Sequence, residues 1–342
     1  MIKTCIKEKL EETKPHAFDT KVFAREKAKG EPEVDMFYKY GYTSIEHMDL
    51  MAFRQDMKRE GEDITTEEIK EVYHMIPMKD YMINGCVYEK ARTTENKRKA
   101  VLFLHGGGFF GGDVKTKGNQ CKYLAQQTDA VVVSPEYRLS PECAYPGAVQ
   151  DAMGTLDWMT EHAEMLNIDA DHIVVMGESA GGTLAANCCL RDEKNRIEMA
   201  VYIYGALDLT PAHKTPYHWD YSLYKMEESQ KNYIMNRLFR FKELTEYIEE
   251  LYLQNRYSAT DGEVSPLYAE NLEKMPKTLV IEAEFDYFKI CNEEFVKKMD
   301  AAGKDVEVIL YEGLDHGFFD RLGSLPQTAD CIREISKRIK EL

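Results

Sequence analysis

Long apolar runs are missing from this 342-residue chain. A bilayer-spanning helix needs about 20 consecutive apolar residues, and a secretory signal needs an apolar core of about 7–15. No stretch approaches the first length, and the N-terminal MIKTCIKEKLEETK interleaves charges with single apolar residues. We therefore expect neither export nor stable membrane association, and we predict a cytoplasmic protein.

An excess of positive charge is also missing. The 44 Lys and Arg residues face 60 Asp and Glu residues, which gives a formal net charge of −16. Such a charge repels phosphate backbones and anionic lipid surfaces. We expect no nucleic-acid partner, and we expect the substrate to be a neutral or cationic small molecule.

The eight cysteines lack the paired CxxC spacing of zinc and redox sites. In a cytosolic chain of this length they are typical of buried free thiols rather than disulfides or metal ligands. We therefore predict no metal and no cofactor. Internal repeats and low-complexity linkers are absent too, and the 44% hydrophobic content is enough for a sizeable core.

What the chain does contain is an alternation of apolar runs and helix-like stretches, which predicts an α/β fold with a mostly parallel central sheet. Most of the strand-like runs are continuously apolar, as expected for parallel strands covered on both faces. These runs are KAVLFLH, AVVVSPEY, HIVVMG, AVYIYG, TLVIEA and DVEVILYEG. The helix-like stretches between them include KGNQCKYLAQQT, AVQDAMGTLDWMTEHAEML, GGTLAANCCLRD and NEEFVKKMDAAG.

Two segments interrupt this alternation. Residues 1–75 have a helical pattern without strands, and DITTEEIKEVYHMI begins with a capping signal at Thr65 or Thr66. Residues 211–264 also lack a strand pattern and are rich in Tyr, Phe, Met and acidic residues. We expect both to form a helical cap over a core of residues 76–210 and 265–342; a surface insertion is the alternative for the second. YMINGCVYEK suggests a hairpin near the start of that core.

The sequence HIVVMGESAGGTLAA places Ser179 between an apolar strand and an alanine-rich helix. A GxSxG motif at such a junction is typical of a nucleophile elbow, in which a sharp turn raises the serine hydroxyl above the sheet. The flanking positions must be glycine because a Cβ there would strike the neighbouring backbone. Ser179 is therefore the candidate nucleophile.

A serine nucleophile needs a base and a group that orients the base. His316 follows the last strand-like run and is the candidate base, and Asp286 follows the preceding run and is the candidate orienting acid. Glu284 and Glu282, earlier in the same run, compete with Asp286 for that role. Asp315 is interpreted as a turn former or a neighbour of His316.

The glycine-rich stretch VLFLHGGGFFGGD follows a strand and matches the HGGG loop that stabilises an oxyanion. Its glycines let bare backbone amides approach the substrate closely. Gly107 and Gly108 of this stretch are candidate donors to the oxyanion, together with Ala180, which follows Ser179. A phosphate cradle is the alternative, but the stretch lacks both the GK[ST] ending and the GxGxxG spacing of such sites.

The chain contains the motifs HGGGF, GESAGG and, near its end, HGF. Through them it resembles the hormone-sensitive-lipase-like carboxylesterases of the α/β-hydrolase fold, a group related to arylacetamide deacetylases. SPEYRLSPECAYPGAVQD and VSPLYA are similar to two further segments of that family. The resemblance spans about residues 75–342 and implies the roles given above for Ser179, Asp286 and His316. Two positions depart from the usual pattern: Glu178 stands where Asp is common, and Tyr-Phe-Lys follows Asp286 where Pro-Leu-Arg is common.

The expected function is a serine carboxylesterase acting on small neutral esters with short to medium acyl groups, through an acyl-enzyme and without cofactor or metal. One alternative keeps the machinery and changes the bond, to an aryl amide or a sugar acetate. Another is a small-ligand receptor on the same fold without turnover. The sequence leaves the oligomeric state open, a homodimer included.

Overall fold

The apolar runs of the sequence form the centre of a twisted sheet in the computed structural model, which describes residues 2–7, 18–29, 43, 47–93 and 97–342. Within these ranges the sheet has nine strands, in the order β1-β9-β8-β7-β6-β4-β5-β3-β2. The strands are β1 Lys3–Lys7, β2 Ile69–Pro77, β3 Met82–Lys90, β4 Arg98–Leu104, β5 Val131–Pro135, β6 Ile168–Glu178, β7 Ile197–Ile203, β8 Lys277–Phe285 and β9 Val306–Asp315.

Helices pack on this sheet, as the alternating pattern predicts. They are α1 Thr20–Lys29, α2 Leu50–Met57, α3 Gly118–Thr128, α4 Gly147–Glu161, α5 Ala163–Leu166, α6 Ala180–Arg191, α7 Lys231–Glu246, α8 Ile248–Leu251, α9 Lys289–Ala301 and α10 Pro326–Lys340. The predicted α/β class with a mostly parallel sheet is confirmed.

The six apolar runs are the parallel strands β4 to β9. Strand β5 is buried at all five positions, and eight of the nine residues of β8 are buried. This burial on both faces explains why these strands are continuously apolar rather than alternating. Parallel strands also bring their carboxyl ends to one edge of the sheet, where open α/β sheets form their sites.

The prediction that residues 1–75 contain no strand is wrong. Strand β1 pairs in parallel with β9, and β2, which begins at Ile69, pairs antiparallel with β3. The predicted helix over DITTEEIKEVYHMI is therefore mostly strand. The Thr66 backbone N–H donates to the Gln126 side chain and does not start a helix. The hydrogen bonds between β2 and β3 outweigh the local capping signal.

The predicted hairpin within YMINGCVYEK is also wrong in its turn. The whole of β3 is one strand, and its hairpin partner is β2, across a turn at residues 78–81. Gly85 is not a turn residue: a Cβ there would overlap the Ile76 side chain of β2. The glycine marks a close approach of neighbouring side chains rather than a reversal of the chain.

Within the described residues, the first segment outside the core contacts the second segment through α1 and contacts the glycine-rich loop through α2. Phe23 of α1 packs edge-on against Tyr233 of α7, with ring centroids 5.4 Å apart. Arg54 of α2 donates through Nε to the Phe110 carbonyl oxygen at 2.6 Å. Within the first of these segments, residues 8–17, 30–42 and 44–46 lie outside the described residues. Residues 211–264 contain helices and turns, with α7 and α8 as the regular elements.

All eight cysteines are free thiols; six are buried, Cys143 is partly buried and Cys5 is exposed. The expectation of buried thiols thus fails for Cys5, which lies on the edge strand β1. In the described ranges, no helix combines the length and apolar character needed to cross a bilayer.

Candidate active site

The turn from β6 into α6 holds Ser179 in a strained conformation, with φ of 54° and ψ of −120°. A positive φ is unfavourable for a residue with a side chain, so the surrounding packing must enforce it. The two flanking glycines permit that packing: a Cβ on Gly177 would overlap the Gly181 carbonyl, and a Cβ on Gly181 would overlap the Leu104 carbonyl. The serine therefore stands at the N-terminus of α6, at the carboxyl edge of the sheet.

Ser179, His316 and Asp286 form one chain of hydrogen bonds. Ser179 Oγ lies 2.9 Å from His316 Nε2, and His316 Nδ1 donates to Asp286 Oδ2 at 2.7 Å. All three side chains are buried. The sequence places them 137 and 30 residues apart, and the parallel strands β6, β8 and β9 bring them together at their carboxyl ends.

Asp286 is held by the residues that follow it. Its Oδ1 accepts the Phe288 backbone N–H at 2.9 Å, and its carbonyl oxygen accepts the Tyr224 hydroxyl at 2.8 Å. The Trp219 indole in turn donates to Tyr224 at 3.0 Å. The Tyr-Phe-Lys sequence thus fixes the carboxylate by a short turn, helped by two aromatic residues of the 211–264 segment.

The two competing carboxyl groups of the same strand lie elsewhere. Glu284 Oε2 accepts the Gly313 backbone N–H at 2.8 Å and so joins β8 to β9. Glu282 is buried, and burial, followed by the nearby Glu293 charge, raises its pKa to about 8. Asp315 is not at a surface turn: it is fully buried between the guanidinium groups of Arg237 and Arg321.

The glycine-rich loop adopts left-handed backbone angles at consecutive positions. Gly107, Gly108 and Phe109 have φ of 129°, 63° and 69°. The Gly107 carbonyl accepts the backbone N–H of Phe110 and of Gly111, each at 3.0 Å, which tightens the loop. Within the described ranges, the backbone N–H groups of Gly107, Gly108 and Ala180 donate to no other protein group. Three amides are thus available beside Ser179.

A buried polar network supports this loop, and the sequence reasoning missed it. Glu178 Oε1 accepts the Gly106 N–H at 2.8 Å and lies 3.3 Å from Lys117 Nζ, while Oε2 accepts the Tyr204 hydroxyl at 2.9 Å. Lys117 also pairs with Asp320 at 3.0 Å. Burial disfavours the charged form of Glu178, but Lys117 and these two hydrogen bonds keep its pKa below the ordinary value. In the sequence, Glu178 in place of the usual Asp was the signal that pointed to this network. The stretch DVKTKG has no feature that distinguishes Lys117.

Two cavities meet at Ser179. The outer one, of about 200 Å³, is lined by Gly106 to Gly108, His316 and charged side chains that include Lys117 and Asp320. The inner one, of about 10 Å³, has room for about one water. Apart from Ser179 and Thr245, its wall consists of glycine and apolar residues: Gly108, Phe109, Ala180, Ala206, Leu209, Leu244, Ile248 and Phe288. Ser179 thus lies between a larger cavity with charged walls and a narrow cavity with mostly apolar walls.

The chain is similar in sequence and fold to known esterases. A model of the α/β-hydrolase fold family matches residues 101–320. The chain is 32% identical over 231 residues to Esterase LipI of Mycobacterium tuberculosis, covering 68% of this chain and 69% of that protein. It is 28% identical over 235 residues to an ethyl acetate hydrolase of Pseudomonas putida, covering 68% and 69%. An esterase structure from Pyrobaculum calidifontis superimposes with a TM-score of 0.73 at 26% identity, covering 95% of this chain and 98% of that one.

The chain belongs to the α/β-hydrolase fold family, in its hormone-sensitive-lipase-like group. Its similarity to esterases of that group identifies it as a carboxylic ester hydrolase.

Replacing Gly181 by Ala tests the tight crossing at the elbow. The new Cβ would overlap the Leu104 backbone, which cannot move without displacing β4. We expect a loss of about 3 kcal/mol in the free energy of unfolding, measured by urea denaturation, with a parallel loss of esterase activity. Gly154→Ala is the matched control, because its Cβ would meet the flexible Met78 side chain. Equal effects of the two substitutions would contradict the packing argument.

His105→Asn tests a buried histidine under the loop. The His105 ring stacks on Tyr137 at 4.2 Å, and complete burial lowers its pKa to about 4. Between about pH 6.5 and 4 the unfolded chain takes up a proton here and the folded chain does not, so stability falls as pH falls. From pH 7 to 5 we expect the wild type to lose about 2 kcal/mol more than the variant in urea unfolding. Identical losses would show that His105 is not buried in its neutral form.

Proposed function

We propose that the chain is a serine carboxylesterase that cleaves small neutral esters through an acyl-enzyme. The observation that carries the proposal is the hydrogen-bond chain from Ser179 through His316 to Asp286, beside the backbone amides of Gly107, Gly108 and Ala180. A buried serine–imidazole–carboxylate chain next to such amides has the parts that acyl transfer requires.

In the first step Ser179 Oγ attacks the ester carbonyl carbon while His316 Nε2 takes the hydroxyl proton. The carbonyl oxygen becomes an oxyanion, which the N–H groups of Gly107, Gly108 and Ala180 stabilise. Asp286 orients the imidazole through Nδ1 and stabilises its positive charge. His316 then gives the proton to the leaving alcohol, and the acyl group remains on Ser179.

In the second step a water molecule replaces the alcohol. His316 takes a proton from this water as it attacks the acyl carbon, and the same amides stabilise the second oxyanion. Collapse of the intermediate breaks the bond to Ser179 Oγ, which recovers its proton from His316 and releases the carboxylic acid.

We further propose that the acyl group is short. The narrow inner cavity beside Ser179 suits a small apolar group, and the larger outer cavity suits the alcohol part of the ester. The similarity to an ethyl acetate hydrolase supports the same assignment. The helical cap predicted from residues 1–75 and 211–264 would cover both cavities, since Leu244 and Ile248 line the inner one and Met57 of α2 lines the outer one.

Ser179→Ala tests the mechanism. Without the nucleophile we expect turnover of every ester to fall on the order of 10⁴-fold or more, measured as kcat/KM on 4-nitrophenyl acetate. Covalent labelling of the protein by a fluorophosphonate should disappear as well. The unfolding midpoint of the variant serves as the control for folding. A variant that keeps substantial turnover while folded would refute the serine mechanism.

A series of 4-nitrophenyl esters tests the acyl-size assignment. We expect kcat/KM to be highest for acetate and propionate and to fall for butyrate and longer chains. Leu209→Ala enlarges the inner cavity and should move the optimum toward butyrate. Leu253→Ala, which removes the same atoms from a buried position away from either cavity, should leave the optimum unchanged. A wild-type optimum at octanoate would contradict the assignment.

A further inference from the structure

One face of helix α7 lies over the candidate base. Arg237, Phe241 and Leu244 follow each other at helical spacing, so they project from the same side. The Phe241 ring lies 4.0 Å from the His316 ring, centroid to centroid, at an interplanar angle of 49°. Leu244 lies against Gly108 of the loop. A helix from the 211–264 segment thus contacts both the base and the oxyanion loop.

Arg237 holds the backbone around His316. Its Nε donates to Asp315 Oδ2 at 2.7 Å, and its Nη2 donates to the His316 carbonyl oxygen at 2.9 Å. Arg321 donates to the other carboxylate oxygen, Oδ1, also at 2.7 Å. Asp315 is fully buried and Arg237 is nearly so. Charge-assisted hydrogen bonds in such a buried setting are strong and geometrically specific.

The His316 backbone needs such a support. Strand β9 ends at Asp315, and Gly317 has a φ of 81°, so the histidine stands in a turn between a strand and a short helical turn. The imidazole itself is oriented by Asp286, but that hydrogen bond does not fix where the backbone of residue 316 lies. The contact from Arg237 to the carbonyl oxygen fixes it directly.

We propose that Arg237 is a positioning residue of the esterase, which makes the placement of the base depend on the docking of helix α7. The inference rests on the proposed function, in which His316 is the base. Arg237 also lines the outer cavity, but its guanidinium donates to Asp315 and to the His316 backbone, so its removal should lower kcat far more than it changes KM. A displacement of about 1 Å at a reacting group can lower a rate by about 10²-fold.

Arg237→Met and Arg237→Lys test the proposal, with kcat and KM measured on 4-nitrophenyl acetate. Methionine keeps most of the apolar stem but makes neither hydrogen bond, so kcat should fall about 10²-fold with KM within about threefold of the wild type. Lysine keeps a charge beside Asp315 but has a single nitrogen in place of the two that reach Asp315 and the His316 carbonyl oxygen, so it should recover part of kcat. The rate of fluorophosphonate labelling should fall in parallel with kcat, since labelling also needs the base.

Two controls make the outcome decisive. Lys242→Gln removes a cation from the same helix, where it pairs with the neighbouring Glu243, and should leave kcat unchanged. The low-field proton NMR signal of the His316–Asp286 hydrogen bond should broaden or vanish in Arg237→Met, provided that its unfolding midpoint shows a folded protein. If Arg237→Met does not fold, Arg237→Lys carries the same comparison of kcat with KM.

Ser179→Ala in the same assay separates this inference from the proposed function. An inactive Ser179→Ala together with wild-type kcat in folded Arg237→Met, or with a raised KM alone, overturns only the role of Arg237. An active Ser179→Ala overturns the serine mechanism itself. A fall in kcat at constant KM, with an inactive Ser179→Ala, supports both.

Discussion

The 2.9 Å separation between the Ser179 hydroxyl and the His316 imidazole depends on nearly every other feature of the structure. It joins the carboxyl end of β6 to that of β9, two strands that are separated in the sheet by β7 and β8. A shift of one strand relative to its neighbours would change the distance, so the register of the whole parallel sheet is part of the site. The continuous burial of the central strands supplies the stability that keeps this register.

The same edge concentrates backbone strain. The positive φ values at Ser179 and Phe109 are costly and persist because neighbouring contacts enforce them, whereas Gly107 and Gly108 adopt positive φ without such a cost. For the loop, the enforcing contacts include Glu178, which accepts the Gly106 N–H while Lys117 neutralises its charge. A buried carboxylate next to the nucleophile therefore serves the adjacent loop. It lies on the strand that carries the serine, so elbow and loop are fixed relative to each other.

The sequence was informative where one physical requirement dominates a segment. Parallel strands buried on both faces must be continuously apolar, and a strand that turns sharply into a helix needs glycines at fixed positions. Both patterns can be recognised in the sequence. Asp286 and His316 could be predicted because they directly follow such strands. Strand β2 could not, because its polar edge carries a helix-like pattern and its pairing with β3 is a tertiary contact.

The supporting residues were also beyond the reach of the sequence. Lys117, Arg237 and Tyr224 lie in stretches without a distinctive motif, and each matters only because of which distant residue it contacts. Asp315 precedes His316 directly in the sequence, but its partners Arg237 and Arg321 come from other parts of the chain. Long-range ion pairs of this kind leave no local periodicity to detect.

Strand β1 has a different consequence. Its five residues pair in parallel along β9 and so cover the side of that strand that β8 leaves open. An uncovered edge offers a row of unpaired amides and carbonyls to any other extended chain. Residues Lys3–Lys7 thus move the open edge from the longer, mostly buried β9 to a short strand that carries two lysines, and forms of the chain trimmed past Lys7 would expose the edge of β9 and gain a tendency to self-associate.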